Sequence, residues 1–318
     1  MTETHTVGIT GAAGYIGSRV TKNLLESGHE VVPVDNFHAA KVEAIDGTEV
    51  LDGDVRDRDT IAEQFGDVDI LFHLAALTGV EECDEHVDEA FEVNVRGTEN
   101  VARFCRSSGT PLVFPCSMAI LGEPVDLPIS SDHPRDPVNT YGLTKRLSED
   151  DIHVLAKHSF PAHVYMKSNL YGHHEVGGQT VGKRTVINIF VEKALNDETL
   201  TVHEPGTQAR DFVHVKDVAR AYEQSMDFLL GENDDGARTL PLASGEDMSV
   251  LDLANLVQRV TRKERGYEPE IELIENPRGE EAAGSDFSVD TDEARDAIGF
   301  EAEHSVEETV RDLLSEAE

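Results

Sequence analysis

The chain has no tryptophan, only three cysteines, and 27 lysines and arginines against 63 aspartates and glutamates. Each shortage closes off a class of function. Cys83, Cys105 and Cys116 are odd in number and lack paired spacing, which excludes a disulfide framework and a zinc site. No apolar run approaches the ~20 residues that span a bilayer, and no secretory leader is read, so a soluble, cytoplasmic protein is expected. A net charge of −36 argues against nucleic acid and anionic membranes as partners, because both repel it. High charge with few aromatics is the usual mark of disorder. Here, however, periodic apolar segments run from end to end, and 318 residues are ample for a large core. The acid is spread along the chain rather than gathered in a tail, and it reads as the solvated surface of one domain or two intimately joined ones. Such a surface suits molar salt, where the Debye length is about 3 Å and self-repulsion is screened. A halophilic protein is therefore expected, with a melting temperature that climbs with KCl. A melt unchanged between dilute and molar KCl overturns that expectation.

What is present is organised around Thr6–Gly17, TVGITGAAGYIG. Val7 and Ile9 read as a buried strand, the glycines break it, and Ile16, Val20, Leu24 and Leu25 give Tyr15–Glu26 a helical period. Strand, glycine turn and helix N-terminus in that order make an anion site, because Tyr15, Ile16 and Gly17 present orphan N–H groups at the positive end of the helix dipole. Gly11 permits the tight turn, Gly14 leaves bare backbone for a pyrophosphate, and Gly17 lets helix and strand pack closely. The next strand ends at Asp35, about 20 residues on, where an acceptor for a ribose 2′-hydroxyl belongs. A carboxylate there repels a 2′-phosphate, so the dinucleotide is read as NAD rather than NADP.

Alternating segments continue the pattern. Glu49–Leu51 is a short strand leading to Gly53-Asp54-Val55-Arg56-Asp57, where Asp54 and Val55 flank an adenine, or Asp57 caps the next helix; both readings can hold. Asp69–Leu74 is a strand followed by small Ala75 and Ala76, Glu89–Ser107 is helical, and Leu112–Pro115 is a strand ending at Cys116-Ser117. This spacing predicts an α/β fold with a doubly wound parallel sheet. Pro124–Pro137 reads as a surface loop. Tyr141 and Lys145, four apart, share one face of a helix running to about His158. The ammonium and the positive nicotinamide are both expected to bring the phenol, ordinarily near pKa 10, toward a working range as a base, with Ser117 on the same substrate hydroxyl.

The second half is less regular. Strands are expected at Ala162–Met166, Leu200–His203 and Glu270–Ile274, with a glycine-rich loop after Tyr171-Gly172. Helices are expected over Val186–Asn196, Asp217–Leu230, Ser249–Thr261, Thr291–Ile298 and Val306–Ala317. Lys183, Arg184, Arg210 and Arg278 are cations in an acidic protein. Arg210 and Arg278 read either as surface ion pairs worth about 0–1 kcal/mol each or as a guanidinium clamp on a diphosphate. His173-His174 lacks a third ligand at useful spacing, so no metal site is assigned. The domains are drawn as 1–168 for the dinucleotide, catalytic helix included, and 169–318 mainly for substrate, with some segments returning to the sheet.

Together TGAAGYIG, Asp35-Asn36, GDVRD, HLAAL, NVRGT, Ser117, YGLTK, SNLYG and RDFVHVKDV, in that order, resemble the extended short-chain dehydrogenase/reductase superfamily with its Rossmann fold. Within it the chain is similar to the NAD-dependent nucleotide-sugar epimerase/dehydratase family. The resemblance implies NAD held by the glycine turn, Asp35, Asn36, Asp54, Val55, Leu74, Ala75, Ala76, Asn94, Tyr141 and Lys145. It also implies Tyr141 as base with Lys145 on the nicotinamide ribose, Ser117 assisting, Asn169 and Arg210 on the nucleotide diphosphate, and a homodimer through the Glu89–Ser107 and Tyr141–His158 helices. Dehydratases of the family carry Asp-Glu after the catalytic Ser or Thr, and decarboxylases a Glu. Here Met118-Ala119 transfer no proton, which leaves epimerisation at C4 of a UDP-hexose by oxidation and hydride return. Met166 stands where relatives carry Arg, Leu121 where they carry Tyr, and the proline after Arg278 is missing. Either Ser285 or Phe287 faces the sugar's 2-substituent, so plain and N-acetylated hexoses are not separated. A net oxidoreductase of a nucleotide sugar and a non-catalytic NAD-binding regulator are the alternative readings.

Overall fold

The computed structural model describes residues 3–40, 42–231, 235–276 and 286–316. Its centre is a parallel seven-stranded sheet built from β1 (Thr6–Thr10), β2 (Glu30–Asp35), β3 (Leu51–Asp52), β4 (Ile70–His73), β5 (Leu112–Pro115), β6 (Pro161–Lys167) and β7 (Gly236–Leu242). The spatial order is β7-β6-β5-β4-β1-β2-β3, so the winding reverses between β1 and β4. Loops diverge there beyond the strands' carboxyl ends and leave a crevice.

Both faces of the sheet are covered, which is why its strands read as nearly unbroken apolar runs. Val7, Ile9, Phe72 and Tyr165 pack with Val20 and Leu24 of helix Tyr15–Glu26 and with Val218, Tyr222 and Met226 of helix Val215–Gly231. Leu71, Phe114 and Val164 point the other way, against Phe65, Val101, Cys105 and Ile152 from the opposite layer of helices. A third apolar cluster joins Tyr171, Phe190, Val202, Phe212, Leu253, Val257 and Leu314. It holds helices Val186–Leu195, Val250–Arg265 and Val306–Glu316 around small sheets, one of which orders Asp247–Ser249, Ala209–His214 and Asn169–Tyr171 side by side.

Three sequence expectations change. Glu49 belongs to a small hairpin with Ala44–Ile45, and the strand that joins the sheet is Leu51–Asp52. The glycine-rich stretch after Gly172 is an antiparallel hairpin, His173–Val176 with Gln179–Gly182, since Gly177 and Gly178 at its tip take positive φ. The helix around Asn94 is interrupted by a π-helical turn, Phe91–Arg96. The seventh strand was not foreseen: Pro241 spoils the pattern of Gly236–Leu242. It is tolerated because β7 pairs only with β6 and lies at the sheet's edge, where a missing N–H breaks no second ladder.

Candidate active site

The crevice opens into a cavity of about 510 Å³, within the range of cofactor pockets. Gly11, Gly14, Tyr15, Ile16 and Gly17 form one wall. The helix behind them has no side-chain N-cap and no acid in its first turn, so its positive end faces the cavity unneutralised, in a protein that places acids in most first turns. Gly17 is required sterically: a Cβ there would lie 2.1 Å from the Gly11 carbonyl oxygen. Val34, Asp35, Asn36, Val55, Leu74, Ala75 and Ala76 continue the lining. The buried Asp35 carboxylate accepts from the Ala13 N–H at 3.1 Å and the Phe37 N–H at 2.8 Å, which hold it at the end of β2 even though burial raises its pKa. An anion-binding turn, apolar walls for flat rings and an acceptor at the end of β2 fit NAD.

Two expected cofactor residues stand behind the lining. Asp54 is held by the Arg56 guanidinium at 2.9 and 2.6 Å and by the Asn36 amide at 3.1 Å; the arginine keeps its pKa near about 2. Asp57 caps helix Arg58–Phe65 by accepting from the Asp59 N–H. Asn94 is buried in the π-helical turn, where its amide pairs with both backbone groups of Leu77 at 2.8 and 3.1 Å and donates to the Thr144 hydroxyl at 3.0 Å. It thereby ties the loop after β4 to the helix carrying Tyr141.

Helix Thr140–Ala156 is capped by Asn139, whose side chain accepts from the Gly142 N–H at 2.8 Å. It packs so closely on the short helix after Ser117 that a Cβ at Gly142 would fall 2.3 Å from the Ala119 carbonyl oxygen. This contact brings Ser117 near enough to Tyr141 for its hydroxyl to act on the phenol, while its own oxygen accepts from the Ala119 N–H at 3.2 Å. Tyr141 and Lys145 both line the cavity, and the Lys145 ammonium lies 4.4 Å from the centre of the Phe114 ring. Burial holds the Tyr141 phenol well above its ordinary pKa, with the neighbouring Ser117 hydroxyl pulling the other way, and Lys145 is not among the groups that lower it. Lys145 is itself pushed down to about 8 by desolvation. Sharing a helix face put the two side chains together, but the same dry surroundings penalise the charge on each.

Asn169 and Arg210 lie off this cavity on the three-stranded sheet, where Asn169 is in register with Phe212. The Arg210 guanidinium donates to the Ala209 carbonyl at 2.7 Å and stacks over buried Phe287 at 5.4 Å, so Phe287 already has a partner. Arg278 and Ser285 fall outside the described residues. His174 accounts for half of the histidine pair: it is buried, bonded to the Ser18 hydroxyl at 3.0 Å and stacked on Tyr15. No metal-binding cluster occurs among the described residues. Sequence reading missed Lys167, at the end of β6, and the hairpin residues Gln179–Gly182, all of which line the cavity. A lysine closing an otherwise buried strand, PAHVYMK, was the available signal for the first.

Fold and cavity together define an NAD-dependent enzyme on a doubly wound sheet. Residues 7–234 match the model of the NAD dependent epimerase/dehydratase family, and the chain belongs to that family, as an epimerase by type. It is 28% identical over 313 residues to a putative UDP-glucose 4-epimerase of Methanocaldococcus jannaschii, covering 96% of each chain. It is 27% identical over 336 residues to the UDP-glucose 4-epimerase of Bacillus subtilis, covering 96% of this chain and 94% of that one. Among solved structures, UDP-glucose 4-epimerase from Bifidobacterium longum in complex with NAD+ and UDP superimposes with a TM-score of 0.80 at 25% identity, covering 98% of this chain and 97% of that one. No helix among the described residues is long and apolar enough to cross a membrane.

Proposed function

We infer that the enzyme interconverts the C4 epimers of a UDP-linked hexose. The observation that carries this reading is the Tyr141 phenol at the wall of the dinucleotide cavity, with Ser117 beside it and no acid or base in the two positions after that serine. Bound NAD supplies reversible hydride acceptance. Tyr141 takes the proton from the sugar's C4 hydroxyl and later returns it, and Ser117 orients that hydroxyl by a second hydrogen bond. Lys145 reaches from one helical turn deeper to hold the ribose next to the reacting ring. Met118 is buried and Ala119 carries no titratable atom, so water loss and decarboxylation have no proton donor there. The Asn169 and Arg210 sheet is assigned to the nucleotide diphosphate, consistent with UDP in the names of the relatives.

The test is an equilibration. A UDP-sugar supplied as one C4 epimer is expected to emerge as a mixture of both, with no lasting rise in the NADH absorbance band. Absorbance that grows in step with substrate consumed shows a net oxidoreductase instead and overturns the reading.

A further inference from the structure

Three of the chain's nine lysines, Lys145, Lys167 and Lys183, line the one cavity into which Tyr141 projects. That is a concentration of positive charge inside a protein of net charge −36. The acids that share the lining, Asp35 and Glu89, stand at its other end: Asp35 closes β2, and the charge of Glu89 acts on Arg56 beyond β3. Lys145 is accounted for by its place one turn below Tyr141. Lys167 is not. It is half-buried, and among the described residues its ammonium has neither a hydrogen-bond nor an ion-pair partner. Lys183, at the end of the hairpin, reaches the Thr78 hydroxyl at 3.5 Å, and Glu82 is the acid that acts on it.

The three ammonium groups oppose one another. Burial and the charges of Lys183 and Lys145 push Lys167 down to about 7, and burial lowers Lys183 as well. An unpaired cation in a dry cleft is unfavourable unless an anion completes it. The diphosphates already have claimants, the helix N-terminus at Gly14–Gly17 and the sheet carrying Arg210. Lys167 lies elsewhere: it ends β6, the strand hydrogen-bonded to β5, whose end carries Ser117. It therefore flanks the reacting carbon. On a hexopyranose the carbons next to C4 are C3, which bears a neutral hydroxyl, and C5, whose substituent C6 is either a hydroxymethyl group or a carboxylate. Only the second is an anion.

The geometry points to a hexuronate as the sugar, its C6 carboxylate taken by Lys167 with Lys183 on its outer side. This deepens the proposed epimerisation and rests on it. A charge-assisted hydrogen bond in a cleft of this kind carries about tenfold to a hundredfold in affinity.

The experiment compares UDP-glucuronate with UDP-glucose in the intact enzyme at high salt, by kcat/KM for C4 epimerisation and by calorimetric affinity. Wild type is expected to favour UDP-glucuronate at least tenfold by both measures. Lys167→Met is expected to lower that ratio at least tenfold, and Lys167→Arg, which keeps the charge, to hold it within a few-fold. A wild-type preference for UDP-glucose, or a Lys167→Met loss equal for both sugars, overturns the inference and leaves the epimerase reading standing. If neither sugar is epimerised, the proposed reaction is at fault, and the calorimetric ratio alone decides whether Lys167 reads the carboxylate. Equal affinities then overturn it.

Discussion

Tyr141→Phe is expected to lower kcat by about a hundredfold to ten-thousandfold while leaving the fold and its NAD content unchanged. The size follows from what is removed. General acid–base catalysis by a positioned side chain typically supplies 10²–10⁴-fold, and Tyr141 is the titratable group on which the Ser117 hydroxyl acts. Stability is expected to hold because the ring, not the hydroxyl, packs with Leu77, Cys83 and Ala90. Phenylalanine keeps that contact and removes only the hydroxyl. The split is diagnostic: kcat collapses, while the melting temperature and bound dinucleotide stay at parental values. Activity within a few-fold of the parent removes Tyr141 from the mechanism. Ser117→Ala, which leaves the proton carrier in place, is expected to give the smaller loss.

The second large effect concerns acid. His73, His163, His174 and His214 are all buried. Burial is the leading cause that holds His73 and His214 near about 3, and His163 and His174 near about 4; the neighbouring cations Lys145, Arg238 and Arg19 add to it for three of them, and the stacked His304 ring for His214. In the unfolded chain each takes a proton near pH 6.5. The folded state therefore binds fewer protons, and stability falls as pH drops through 6.5, continuing until pH reaches the folded values near 3 to 4. By pH 5 each contributes roughly 2 kcal/mol of destabilisation, and the four about 8 kcal/mol if additive. That is comparable with the whole stability of an ordinary domain. Denaturant midpoints in molar KCl, compared at pH 7 and pH 5, are expected to drop steeply. An equal midpoint at the two values contradicts the assignment. His73→Asn is expected to shrink the pH difference by about a quarter, since His73 sits between the Thr10 hydroxyl at 2.7 Å and the Thr98 hydroxyl at 3.0 Å, with nothing else to compensate its proton.

Much of the site was readable from short stretches. The glycine turn between Val7 and Val20, the carboxylate closing the next strand and the four-residue spacing of Tyr141 and Lys145 are local patterns, and helix and strand periods translate them directly into faces and ends. Residues whose task is to hold others were harder. Asn94, placed at the cofactor by the family resemblance, has its amide paired with Leu77, 17 positions away. Asp54 likewise belongs to Arg56. The hairpin over the cavity was hidden because its strands are short and polar, and its seat is set by Tyr15, whose single hydroxyl proton is shared between the carbonyls of Tyr171 and Gly172 at 2.8 and 2.7 Å.

From the amino-acid order alone came the winding of the sheet, the choice of NAD and the pairing of Tyr141 with Lys145 on one helix face, because each depends on neighbours within about one turn or one strand. Folding in three dimensions decided the rest: how dry the phenol and Lys145 are, which carboxylates were already engaged, and that Lys167 shares a cleft with two other ammonium groups. Those outcomes depend on solvent exclusion and on charges brought together from distant positions, quantities that no linear spacing contains.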